Sequence, residues 1–446
     1  MAELSAQQRA VIEVDGDVFV TACPGSGKTR VLSEKIVAAL DQGISPHRRA
    51  LALTYTNRAA DEVAARLQEH GYSKKHVWTG TIHSFALEWI LRPYSSYDPL
   101  LRNGFSVVDE AALRKLVDSL RKQYGVDARA EIRMGFLRNG QLATSAPNLR
   151  SLIEECRKRL KEQRLLDFDH VLYLGLDLLR RKPEIATTLG AIFSLICIDE
   201  YQDTQDLQYG ILASIVRASN GNSRLFIVGD KNQAIYSSLG GIARTVDEIR
   251  HEFGRPDLSH QELSGNYRST QRIVDFCANF CEAGEEKVVS LARHSGERGL
   301  ITFADQTFQH EKLVQPIANL VRHHLGQGLK PENICILGPS WWLLTKLGRQ
   351  LILSLPDVDL DAPGLSPIRY EQDSLWFKLA RLFLTEPSPK RFHTRLRWAA
   401  DFVTTLEAAL ATELPEGTRN ARAILRLVND LTSVEESGLA YLDEVF

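Results

Sequence analysis

The chain is short of cysteine pairs, of long apolar runs and of net charge, and each shortage argues against a class of protein. Its six cysteines (23, 156, 197, 277, 281 and 335) form no C-x-x-C pair. That spacing argues against a zinc ribbon and a disulfide framework, and reduced thiols in a cytosolic protein are expected. Cys277 and Cys281 stand four apart in a helical-looking stretch, which suits a packed helix face better than a metal site. No stretch approaches the ~18 uninterrupted apolar residues of a membrane span. The opening MAELSAQQRAVIEVDGD lacks the basic-then-apolar pattern of a secretion leader, so a cytoplasmic protein with no membrane partner is expected. The formal net charge is -2, which gives no global attraction to a polyanion. Any grip on nucleic acid must come from local positive charge. Two basic clusters exist, Arg157-Lys158-Arg159 with Lys161 and Arg164, and Arg180-Arg181-Lys182, and both read as solvated helix faces.

What is present is an alternation. At 446 residues, two to four domains are expected. In the first ~90 residues, short apolar runs (DVFVTA, RALALTYT) alternate with helical stretches closed by Gly43 and Gly71. Buried strands between helices imply a parallel α/β sheet. From about Ser84 to Thr188 the pattern turns to amphipathic helices. The α/β pattern returns with SLICIDE (194–200) and RLFIVGD (224–230), and further strands are expected near GLITFAD (299–305) and ENICILG (332–338). The tail from Glu371 is helical again. There is no repeat and no low-complexity segment.

The first apolar run ends in Ala22-Cys23-Pro24-Gly25-Ser26-Gly27-Lys28-Thr29, the composition of a phosphate-binding loop with alanine in place of its first glycine. Gly25 and Gly27 let successive backbone N–H groups point at phosphate oxygens, and the following helix adds its positive end. Lys28 is placed to reach the β- and γ-phosphates, and the Thr29 hydroxyl to ligate Mg²⁺. Such a loop needs an acidic strand end. SLICIDE supplies Asp199 for the metal and Glu200 to polarise the attacking water.

With these residues in hand, the chain resembles the UvrD/Rep/PcrA-type superfamily 1 DNA helicases, and six further stretches come in that family's order. They are Leu4-Ser-Ala-Gln-Gln-Arg9, Thr54-Tyr-Thr-Asn-Arg-Ala-Ala-Asp-Glu62, Thr79-Gly-Thr-Ile-His-Ser-Phe85, Asp199-Glu-Tyr-Gln-Asp-Thr204, Val228-Gly-Asp-Lys-Asn-Gln-Ala-Ile-Tyr236 and Leu263-Ser-Gly-Asn-Tyr-Arg-Ser269. The resemblance covers residues 1 to about 370. It implies an α/β fold of two RecA-like P-loop motor domains with helical insertions. The first motor domain takes 1–85 and 190–265, with a helical insertion over 86–189. An incomplete second motor domain takes 266–370, followed by a helical accessory region over 371–446.

By the same resemblance, ATP and Mg²⁺ are the cofactors, and single-stranded or partly duplex DNA is the partner. Translocation runs 3′ to 5′ in repair, recombination or defence, and a nuclease or repair protein is a possible companion. Gln8 reads the adenine edge, Tyr267 stacks on the base and Arg30 helps to hold it. Gln233 senses the γ-phosphate, and Arg268 is an arginine finger. Tyr55, Thr56, Asn57, His83 and Tyr236 face DNA, with Tyr55 standing where the family usually has phenylalanine. His83 reads equally as a structural residue beside the DNA path or as a direct contact.

Two departures bear on this. Ser237-Ser238-Leu239-Gly240-Gly241 replaces the family's aromatic-arginine-glycine run, leaving Tyr236 to take over part of that stacking platform. The family's last two motifs, an Ala-Lys-Gly-Leu-Glu run and a Thr-Arg-Ala run, do not occur, and the chain reads as a fragment of a longer protein rather than a naturally shortened relative. The rival reading is a nucleotide-dependent DNA-binding or sensing subunit beside a nuclease, resembling the Gabija anti-phage system.

Overall fold

The computed structural model of the chain describes residues 3–45, 47–128, 130, 132–236, 240–281, 287–302, 310–358, 375–385, 392–410 and 420–431. Its backbone forms two compact units, Met1–Ile301 and Thr302–Phe446.

The first unit is built on six parallel strands: β1 (Val18–Ala22), β2 (Arg49–Leu53), β3 (Val77–Gly80), β6 (Phe193–Asp199), β7 (Arg224–Gly229) and β8 (Ser259–Leu263). They lie in the order β3-β2-β6-β7-β1-β8, so every connection crosses over and every carboxyl end meets the same edge. The central strands are mostly apolar because helices cover both faces. The pleat divides them cleanly. Phe19, Leu51, Leu53, Ile196, Ile198, Leu225 and Ile227 point to one core. Val18, Val20, Ala22, Ala50, Ala52, Leu195, Cys197, Phe226 and Val228 point to the other.

Helices α1 (Ala6–Glu13), α2 (Lys28–Asp41) and α3 (Asn57–Glu69) belong to the second of these faces. Helices α4 (Ile82–Phe85), α7 (Phe168–Arg181), α8 (Pro183–Ile192), α9 (Asp206–Ala218) and α10 (Val246–Phe253) belong to the first. The glycines read as helix stops do that work: Gly43 and Gly71 have φ of +92° and +85°. Between 86 and 167 lie α5 (Glu110–Arg121), α6 (Pro147–Glu162) and a short parallel pair, β4 (Ser106–Val107) with β5 (Leu165–Leu166). This segment has its own core around Leu120, Leu152, Ile153 and Cys156. Arg157 departs from the solvated face expected of it. Its guanidinium lies 3.6 Å from the centre of the Phe136 ring and 3.3 Å from Asp167 Oδ2, which caps α7.

After β8 the unit continues through a second parallel pair, β9 (Gly265–Asn266) with β10 (Val289–Ser290), and α11 (Gln271–Ala278). Cys277 and Cys281 of this stretch are exposed rather than packed. The other unit is helical where described. Its α12 (Val314–Gly326) and α13 (Trp341–Ser354) share one core. Its α14 (Leu375–Phe383), α15 (Phe392–Leu410) and α16 (Ala421–Leu431) share another. The strands expected over 299–305 and 332–338 are not found among the described residues. Residues 299–302 and 334–338 carry no ladder, Pro331–Asn333 is a single 3₁₀ turn, and 303–305 lie outside the described residues. No described helix is long and apolar enough to cross a membrane.

Candidate nucleotide site and nucleic-acid face

Five strand ends supply one edge. β1 runs into Cys23–Gly27, β6 ends at Asp199, β7 at Gly229, β8 leads to Asn266, and β2 leads to Tyr55. An open parallel sheet places ligands outside its carboxyl ends.

The loop after β1 is braced through its carbonyls. Each of its carbonyls is taken by a donor: Cys23 O by Ser26 N, Gly25 O by Tyr267 N and Gly27 O by Val31 N. Pro24 O accepts from Asn266 Nδ2 at 2.7 Å, and Ser26 O from Gln8 Nε2 at 2.9 Å. With these carbonyls engaged and the Ser26 amide closing the turn onto Cys23 O, the amides of Gly25, Gly27 and Lys28 are the ones the loop can present to an anion, as in an anion nest. Gly25 and Gly27 sit at φ +72° and +83°, where a side chain is strained. A Cβ on Gly25 would also lie 2.8 Å from Arg268 Cβ. The buried Ser26 hydroxyl has no partner among the described residues. These features fit a polyphosphate. Cys23 is buried and its thiol is pushed up to about 11, so it stays protonated.

Lys28 opens α2, where a lysine meant for a ligand would be expected to face solvent. It is buried instead. Its Nζ donates to Gln233 Oε1 at 3.4 Å and lies 4.0 Å from Glu200 Oε2. These contacts belong to a closed ring. Gln233 Nε2 donates to Asp230 Oδ2 (3.0 Å), Asp230 N to Gln202 Oε1 (3.0 Å), and Gln202 Nε2 to Glu200 Oε2 (2.8 Å). Gln202 is only 1% exposed, and Gly229 must be glycine for it to fit, since a Cβ there would lie 2.3 Å from Gln202 Oε1. Gln202 and Asp230 were given no role from sequence, although both stand inside recognised stretches.

Glu200 has φ +51°, a left-handed conformation that costs a non-glycine residue about 1–3 kcal/mol. That turn reverses the chain after Asp199, whose Oδ1 accepts from Glu200 N. Asp199 Oδ2 lies 3.5 Å from Thr29 Oγ1, so two hard oxygen donors suited to Mg²⁺ meet beside the loop. Burial, then the charge of Glu200, pushes the Asp199 carboxyl up to about 7.

The residues expected to touch the base are placed around the loop. Gln8 caps α1 through Ser5, with Ser5 N donating to its Oε1, while its Nε2 braces the loop. One contact at each end of its amide thus goes to the protein. Tyr267 and Arg268 are exposed beside Gly25, and Arg30 is half-buried in the first turn of α2.

The nucleic-acid candidates fall into two groups. Tyr55 stacks on Tyr236, with ring centres 4.6 Å apart and planes at 28°. Beside them, Thr56 caps α3 by accepting from Ala59 N, and Asn57 is exposed in its first turn. Ser237, Ser238 and Leu239 lie outside the described residues. His83 stands edge-on to Phe168, 5.5 Å away. Phe168 is 50% exposed, and only its place after the Asp167 cap could have marked it.

Burial lowers the His83 imidazole to about 4, so at pH 7 it is neutral and offers a hydrogen bond rather than a charge. Between pH 6.5 and 4 the unfolded chain binds a proton that the folded protein refuses, so this group destabilises the fold as pH falls. Urea titrations at pH 7 and pH 5 are expected to show a larger loss of stability in the parent than in His83→Gln. Equal losses would contradict the burial of a neutral ring.

Residues 4–254 match the family described as UvrD/REP helicase N-terminal domain. The ATP-dependent DNA helicase PcrA of Staphylococcus epidermidis is 30% identical over 355 residues, 75% of this chain and 47% of that protein. The ATP-dependent DNA helicase PcrA of Leuconostoc citreum is 29% identical over 336 residues, 70% of this chain and 44% of that protein. The chain thus spans about half the length of the curated relatives it matches. A crystal structure of Pif1 helicase from Candida albicans aligns with 63% of this chain and 44% of that chain, at 13% identity and a TM-score of 0.31, too loose a likeness to bear on the fold.

Proposed function

Because the chain belongs to the UvrD/REP helicase family, we propose that it is the nucleotide-binding part of an ATP-driven motor that moves on single-stranded DNA. The observation that carries this reading is the closed ring Lys28–Gln233–Asp230–Gln202–Glu200 at the mouth of a braced phosphate loop. The amides of Gly25, Gly27 and Lys28 bind the polyphosphate, and Lys28 neutralises its terminal charge. Thr29 and Asp199 hold Mg²⁺, which supplies further neutralisation of phosphate charge. Glu200 orients and polarises the attacking water, and Gln233 registers whether a terminal phosphate is present. Arg268 stabilises charge on the transferring phosphoryl group. Gln8, Arg30 and Tyr267 flank the base.

On this proposal the coupling to DNA runs through one short chain segment. Gln233 belongs to the ring, and Tyr236, three residues on, stacks on Tyr55. Loss of a terminal phosphate therefore moves the aromatic pair. His83, Phe168, Thr56 and Asn57 extend the same nucleic-acid face, and translocation runs 3′ to 5′. The second motor domain proposed over 266–370 starts at the turn that bears Arg268.

Base–aromatic stacking is worth about 1–3 kcal/mol per base. Tyr236→Ala is accordingly expected to weaken single-stranded DNA binding about tenfold or more in fluorescence anisotropy, with ATP affinity unchanged. The reading is tested by measuring ATP hydrolysis with and without single-stranded DNA in the parent and in Tyr236→Ala. DNA should stimulate the parent more than the variant, and equal stimulation would remove the aromatic pair from the coupling path.

A further inference from the structure

Asn266 is 4% exposed and uses both ends of its amide. Its Nδ2 donates to Pro24 O in the phosphate loop at 2.7 Å. Its Oδ1 accepts from Arg268 N at 2.9 Å and Ser269 N at 2.8 Å, closing the turn on which Arg268 stands. The backbone reinforces the join. Tyr267 N donates to Gly25 O, and Gly25 can only be glycine because Arg268 Cβ and the Asn266 amide occupy the place of its side chain. On the far side, Gln7 and Ser264 exchange two hydrogen bonds, and β9 is paired to β10. The segment is thus anchored at both ends, and among the described residues its side-chain link to the loop is one primary amide.

We propose that Asn266 is a positioning residue that ties the phosphate loop to the backbone of Arg268, so that loop geometry sets where the guanidinium points. The proposal rests on the reading of Arg268 as a phosphate-facing residue. The amide serves both sides because its donor and acceptor are separate atoms, Nδ2 on Pro24 O and Oδ1 on the two backbone amides. Aspartate keeps the acceptor half of the turn but presents an anionic oxygen to a carbonyl oxygen. Serine keeps a hydroxyl-capped turn but is too short to reach Pro24 O. Both variants therefore remove the side-chain link to the loop and leave the turn.

The test is a double-mutant cycle on the full chain, with Asn266→Asp, Asn266→Ser, Arg268→Ala and the two combinations. Losing one buried hydrogen bond is expected to lower kcat roughly tenfold in each single Asn266 variant, with KM for ATP changed by less than about twofold. The same substitutions should then cost nothing further in the Arg268→Ala background. A second readout needs no turnover. Adding a non-hydrolysable ATP analogue should change amide hydrogen exchange over 264–270 in the parent but not in Asn266→Asp, although residues 22–30 still respond in both.

An additive kcat loss in the Arg268→Ala background would overturn the proposal and make Asn266 merely structural. So would an exchange response over 264–270 that persists in Asn266→Asp. Parental turnover in Arg268→Ala alone would overturn the underlying reading of Arg268, and the proposal with it.

Discussion

Replacing Glu200 with glutamine is expected to leave nucleotide binding intact and to slow hydrolysis by about 10²–10⁴-fold, the contribution typical of a general base. The substitution is close to a pure charge deletion. Glutamine has the same length, and its oxygen can still accept from Gln202 Nε2, the contact that holds the side chain in place. The left-handed backbone at position 200 is set by the turn after β6 and carries the same strain in either residue. What disappears is the carboxylate that can take a proton. Single-turnover hydrolysis and a fluorescent-nucleotide titration separate the two effects. Parental turnover would remove Glu200 from its role.

Lys28→Ala is expected to abolish tight nucleotide binding and to lower hydrolysis by at least about 10²–10³-fold, the cost of removing one preorganised donor from a phosphate-transfer site. The fold should survive, because position 28 is the first residue of α2 and alanine is the best helix former. The burial of Lys28 changes the physics of this variant. Its ammonium sits between Gln233 and Glu200 rather than in solvent. Alanine therefore leaves the carboxylates of Glu200 and Asp199 facing the loop with no cation between them, and an incoming polyphosphate meets net repulsion. Thermal unfolding should shift little, while the nucleotide-induced rise in melting temperature disappears.

Sequence made the catalytic edge legible because the pieces that form it are local. A strand, a glycine loop and a helix occupy consecutive residues from Val18 to Asp41, and an apolar run ending in two acids needs only 193–200. β8 was harder to see: Ser-His-Gln-Glu-Leu is an edge strand, mostly polar, and it is recognisable only by its ladder to β1. The reverse error arose at 334–338, where an apolar run lacks any ladder, because strand pairing depends on partners far away in the chain. The ring around Lys28 failed to show for the same reason. It joins residues 28, 200, 202, 230 and 233, and nothing in Gln202 announces that it is buried under Gly229. For Gln8 the Ser5-x-x-Gln8 spacing is that of a capping box, whereas the contact of its Nε2 with Ser26 O spans residues too far apart in the chain for a pattern to show.

The most direct test of the central claim is an equilibrium titration of residues 1–446 with a fluorescent ATP analogue, with and without Mg²⁺, followed by competition with unlabelled ATP. The account predicts saturable binding that ATP displaces, that weakens when Mg²⁺ is withheld and that Lys28→Ala abolishes. Binding that is absent in the parent, or unchanged in Lys28→Ala, would contradict the assignment of Ala22–Thr29 as a phosphate cradle.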